Sequence, residues 1–116
     1  MRQQRDLGYA YDMLLASRAI QSFITGRQAA DLRGDRQLRD AVEKELEIIG
    51  EAARRVSDEF QSSYSDVPWR RIAGLRNVLI HEYREVDLDE LWRIATVEIS
   101  PLIEQLGIIF AQQPDA

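Results

Sequence analysis

The run RQLRDAVEKELEIIGEAARRVSDEFQS, Arg36 to Ser62, decides the class of fold. Its apolar residues Leu38, Val42, Ile49, Ala52, Val56 and Phe60 return mostly at three- and four-residue steps. Such a stripe lies along one side of a 3.6-residue helix and does not fit the two-residue alternation of a strand. The run therefore reads as one long helix that buries a single face. Glu45 interrupts the stripe. Gly50 sits mid-helix, where glycine costs about 0.8–1.0 kcal/mol relative to alanine, so a close helix crossing or an approaching ligand is expected there.

The same period extends outward in both directions. Upstream, Leu7, Met13, Leu14, Ala16, Ile20 and Phe23 predict a helix from about Asp6 to Thr25, with Gly26 as its C-terminal stop. The polar linker from Arg27 to Asp35 reads as mobile, with room for a helical turn around Ala29 to Arg33. Downstream, Ser62 to Asp66 reads as a loop, and Pro68 suits the first turn of a third helix running to about Tyr83. Asp87-Leu88-Asp89-Glu90 resembles a capping box opening a fourth helix, which Pro101 should kink or divide. The expected architecture is all-α: a compact antiparallel bundle of four main helices plus one short helix, in one domain over residues 1–116.

Composition narrows the chemistry. The chain is 45% hydrophobic and 30% charged with three prolines and six glycines, ordinary for a globular protein. There is no uninterrupted apolar run of about 18 residues and no secretory leader pattern after Met1, so the expectation is a cytoplasmic protein without a membrane span. With no cysteine and one histidine, thiolate chemistry is excluded and a zinc site within one chain lacks ligands. No metal or cofactor is expected. The net charge of −5 argues against a broadly basic nucleic-acid surface. From Pro68 to Arg84, however, Arg70, Arg71, Arg76 and Arg84 stand against Glu82 alone, four positive charges to one negative, and an anion could bind there.

Gly74-Leu75-Arg76-Asn77-Val78-Leu79-Ile80-His81-Glu82-Tyr83 places a guanidinium, an amide, an imidazole and a phenol close together. On a continuous helix Asn77 and His81 share a face, whereas Arg76 and His81 lie about 140° apart and Arg76 must reach round. Read alone, this stretch also fits a histidine favoured by the negative end of a helix dipole and a solvated arginine. Glu47 and Glu51, four residues apart, could hold a cation or orient Arg76, or could be two exposed acids.

Arg76 and Asn77, then His81 and Tyr83, resemble the signature of HEPN ribonucleases. The segments Leu46 to Ala53, Val67 to Arg70 with Gly74-Leu75, Val86 to Leu88, and Leu91-Trp92 resemble the HepT subgroup in order and cover most of the chain. Glu45 departs from the asparagine expected before Leu46.

The resemblance implies a homodimeric, metal-independent endoribonuclease toxin. In it the 2′-hydroxyl attacks the adjacent phosphate, leaving a cyclic phosphate and a 5′-hydroxyl. Arg76 and His81 would be the catalytic pair and Asn77 would orient His81 or a phosphate oxygen. Histidine exchanges protons near neutral pH and arginine stabilises charge developing on phosphorus, so the residue types suit that role. The resemblance further implies silencing by a nucleotidyltransferase antitoxin of the MntA kind, which would transfer AMP to Tyr83. The RNA, whether tRNA or mRNA, is left open. The rival reading is a non-catalytic helical partner of such a nucleotidyltransferase; a bundle holding a metal or cofactor would need inward-facing ligands that the chain mostly lacks.

Overall fold

The computed structural model of the chain describes residues 2–80 and 85–114. Helices account for nearly all regular structure among them. In chain order these are α1 (Arg2–Ile24), α2 (Ala29–Gly34), α3 (Arg36–Arg55), α4 (Asp58–Ser63), α5 (Trp69–Ala73), α6 (Leu75–Leu79), α7 (Leu88–Arg93), a π-helical turn (Ile94–Glu98) and α8 (Ile99–Ala111). An isolated antiparallel bridge joins Ile80 to Val86.

α1, α3 and α8 form the centre. The start of α1 meets the end of α3 through Asp6 and Ser57, while Arg27 after α1 pairs with Asp35 before α3 at 3.3 Å, so the two helices run antiparallel. Met13, Ile20, Leu46, Ile49, Leu102 and Leu106 are fully buried, each contributing about 1.5–3 kcal/mol by leaving water. Gly26, at φ 76°, stops α1 in the left-handed region that glycine enters without strain.

The linker after α1 is more ordered than its composition suggests. Gln28 and Asp31 cap α2 reciprocally, and Leu32 is fully buried against the core, so the expected mobile segment is an anchored helix. The long helix expected over Arg36 to Ser62 divides instead. Val56 turns extended, and Ser57 caps α4 by accepting from the Phe60 N–H at 3.2 Å. The buried Asp6 carboxylate fixes this break, accepting from the Ser57 N–H at 2.9 Å and from its hydroxyl at 2.7 Å.

The third expected helix also breaks. Gly74 ends α5, and α6 runs only to Leu79, after which Ile80 is extended and pairs with Val86. The Asp87 N–H donates to the Leu79 carbonyl at 2.8 Å, closing the base of the connection between α6 and α7. The Asp87 side chain accepts from the Glu90 N–H at 3.1 Å, as the expected helix start requires.

Pro101 divides the final helix as expected. It lacks an N–H for the Val97 carbonyl and its ring crowds that group, and the ladder opens into the π turn just before it. Leu88–Ala111 is long and apolar enough, by length and composition, to cross a membrane, although charged residues interrupt its apolar run. In this fold it is a core element: Leu91, Ile94, Ile99, Leu102, Leu106 and Ile109 are buried, and Arg93, Glu98 and Glu104 punctuate it.

Candidate active site at Arg76

α3 forms the floor on which the site is built. Its residues Glu43, Glu47 and Glu51 repeat every four positions and so rise along one side. α5 crosses α3 at Gly50. A β-carbon placed on Gly50 would meet the Ile72 and Ala73 carbonyls at 3.5 and 3.6 Å, which is ordinary van der Waals contact. The close crossing expected from the mid-helix glycine is therefore present. α6 then carries Arg76 over the edge of α3, where its Nε lies 3.3 Å from Glu47 Oε1.

Arg76 and Glu47 stand where two cavities meet. One, of about 570 Å³, lies between the first half of α1 and α5, with Tyr9, Lys44, Glu51, Arg54 and Arg55 among its lining residues. The other, of about 480 Å³, is lined by Glu43, Leu46, Glu47, Arg76, Leu79, Ile80 and Val86. Both partners of the ion pair are largely exposed, with side chains 61% and 50% accessible. An exposed pair of this sort is worth little, so the guanidinium can exchange the carboxylate for a phosphate at small cost.

His81 and Tyr83 lie outside the described residues. Their nearest described neighbours in the chain are Ile80 and Glu85, and the Ile80–Val86 bridge lines the second cavity beside Arg76. α6 ends at Leu79 and Ile80 is extended, so the helix expected to run on to Tyr83 stops before His81 is reached. Asn77 is exposed on α6 and lines neither cavity.

Residues 13–109 match the family described as HepT-like, ribonuclease HepT-like. The chain belongs to that family. It is 32% identical over 107 residues to the Methanocaldococcus jannaschii protein named "Putative RNase MJ1380", covering 91% of this chain and 98% of that one. It is 38% identical over 90 residues to "Putative RNase TTE0752" of Caldanaerobacter subterraneus, covering 78% and 80% of the two chains. It is also 34% identical over 94 residues to "Probable ribonuclease HepT" of Thermococcus cleftensis, covering 81% and 86%. No solved structure matches at the same stringency.

Within this HepT-like chain the two supporting glutamates separate in role. Glu47 meets Arg76 as the four-residue spacing allowed, whereas Glu51 binds Arg55, whose Nε donates to it at 3.0 Å. Glu51 and then the Tyr9 phenol hold the Arg55 guanidinium above its usual pKa. Arg71, counted in the basic segment, is committed elsewhere: its Nε and Nη2 donate to Glu98 at 3.1 and 2.7 Å.

Glu43 is a site residue that reading the sequence missed. Burial, and next the neighbouring Asp40, push its carboxyl above the ordinary range, although Arg39 opposes them. The available signal was its place one turn before Glu47 on the same side of α3. Tyr9, Lys44 and Arg54 were also missed, because only folding brings α1 beside α3 to make them one cavity.

Proposed function

We propose that this HepT-like chain is the ribonuclease toxin of a two-gene pair. It cleaves RNA without a metal, by attack of a 2′-hydroxyl on the adjacent phosphate with release of the 5′-oxygen. The observation that carries this reading is the position of Arg76: an accessible guanidinium, paired among the described residues with an exposed carboxylate, beside a cavity that the Ile80–Val86 bridge also lines. The five residues between these bridge partners include His81. A phosphate displacing Glu47 from Arg76 would gain bidentate, charge-assisted hydrogen bonds, which strengthen as negative charge grows on the transferred oxygens. His81 supplies proton transfer, and Asn77 orients either His81 or a phosphate oxygen.

One imidazole does not readily serve as base and acid in a single step, so the active form is a homodimer that brings a second His81 to the cleft. The partner is a nucleotidyltransferase antitoxin that silences the toxin by AMP transfer to Tyr83. The attached phosphate would place negative charge and bulk in the neighbourhood meant for substrate phosphate.

Purified protein incubated with RNA in EDTA tests the reaction. Wild type should cut and leave cyclic phosphate ends, and His81→Ala should abolish cleavage with helical content retained. Full cleavage by the His81→Ala chain would overturn the assignment, as would a strict need for divalent ion. Tyr83→Phe removes the acceptor oxygen, so it should still cut RNA yet gain no AMP mass from the cognate transferase with ATP and Mg²⁺. AMP addition to the Phe variant would remove Tyr83 as the acceptor.

A further inference from the structure

We propose that the larger cavity, floored by α3 and walled by α1, is a second RNA-backbone subsite, with Lys44 and Arg54 binding phosphates on either side of the one at Arg76. The inference rests on the ribonuclease reading of Arg76 and extends it from one phosphate to a strand.

The arrangement follows from the helix. At 100° per residue Arg54 lies about 20° round α3 from Glu47, and Lys44 about 60°, so all three project over one strip of surface. Along the axis Lys44 is about 4.5 Å to one side of Glu47 and Arg54 about 10 Å to the other, at 1.5 Å per residue. The result is a cationic line through the Arg76 position, long enough for several nucleotides.

The charges in the cavity are not equivalent. Glu51 is taken by Arg55 and Glu47 by Arg76, each within 3.3 Å. Lys44 and Arg54 have no carboxylate within 4.0 Å among the described residues, and Asp12 is the only other acid lining the space. Two uncommitted cations against one acid make the groove locally attractive to phosphate in a chain whose net charge is −5. At about 570 Å³ the cavity is within the range of small-ligand sites, and the half-buried Tyr9 ring beside Arg55 offers a surface for a base to stack on.

The test uses the double variant Lys44→Ala/Arg54→Ala, with Arg18→Ala/Arg36→Ala as a control for the same change in net charge outside the cavity. On long single-stranded RNA the cavity variant should raise KM about tenfold or more with kcat retained, while the control moves neither. The penalty should shrink as the substrate is shortened to a dinucleotide. Binding of uncleaved RNA by the His81→Ala chain, with and without the cavity substitutions, is measured across salt concentrations. Loss of two phosphate contacts should flatten the log–log salt slope by about 1.4. An unchanged KM and salt slope would overturn the subsite and return the cavity to another occupant, such as an acidic segment of a partner protein. Should wild type cut no RNA, the ribonuclease reading fails, and the salt slope of binding still decides the subsite by itself.

Discussion

Asp6 shows how much one side chain can determine without touching the candidate site. It is almost fully buried, and its two oxygens satisfy the N–H and hydroxyl of Ser57 as α3 gives way to α4. Replacing it with alanine leaves both donors unpaired in the interior. Asp6→Ala should therefore lower unfolding stability by about 2–3 kcal/mol, read as a shifted denaturant midpoint. Gly50 tests the opposite case. Its β-carbon position is in ordinary contact and its φ is not in the left-handed region, so alanine fits where glycine stands. Gly50→Ala should raise stability by up to about 1 kcal/mol by removing glycine's helix penalty, seen as a melting temperature higher by a few degrees. A loss of RNA cleavage in that variant, with the fold stabilised, would show that the glycine keeps space for a ligand.

The π turn and α5 are joined by a charged clasp with a definite pH signature. Glu98 accepts from Arg71 and also pairs with Arg93, which in turn pairs with Glu90. The Arg71 bonds, chiefly, hold the Glu98 carboxyl below the ordinary glutamate range, against a smaller opposing effect of burial. A depressed folded-state value means that the clasp stabilises the protein fully above the unfolded glutamate value of about 4.3 and loses that contribution as pH falls through the folded value. Glu98→Gln should thus be less stable than wild type at pH 7, and the gap should narrow on acidification below about pH 4. A gap that is constant across this window would assign the clasp's effect to packing. Pro101 sets the geometry that makes the clasp: the opened ladder brings Glu98 against both Arg93 and Arg71.

The folded chain places the Arg76 and Glu47 side chains between two cavities, yet proton transfer from opposite sides of a phosphate needs more than one His81 in the proposed reaction. Mixing wild-type chains with an excess of His81→Ala chains should therefore lower cleavage more steeply than the wild-type fraction falls, because a mixed dimer holds a single His81. Sedimentation across the same concentrations checks the account. Full activity in a strictly monomeric protein would exclude a cleft shared between chains.

The helical class, the start of α7 at Asp87, the stop at Gly26 and the division at Pro101 were legible residue by residue, because each rests on a local rule: hydrophobic period, capping oxygen, left-handed glycine, missing N–H. The break at Val56–Ser57 also carried a local sign in Ser57 followed by Asp58 and Glu59, but the apolar period that continues through Val56 and Phe60 masked it. The Arg76 position was legible through resemblance, and Glu47 through its spacing. What only the tertiary structure decided is which charges belong together. Arg71 faces Glu98, Arg76 faces Glu47, and Tyr9 joins Lys44 and Arg54 around one cavity. It also decided that the helix carrying Arg76 ends at Leu79, because the Ile80–Val86 bridge and the Asp87-to-Leu79 hydrogen bond pull the chain out of helical register. Periodicity reports the side of a helix that seeks the core; it says nothing of which polar groups from distant segments will share the space left at the edge.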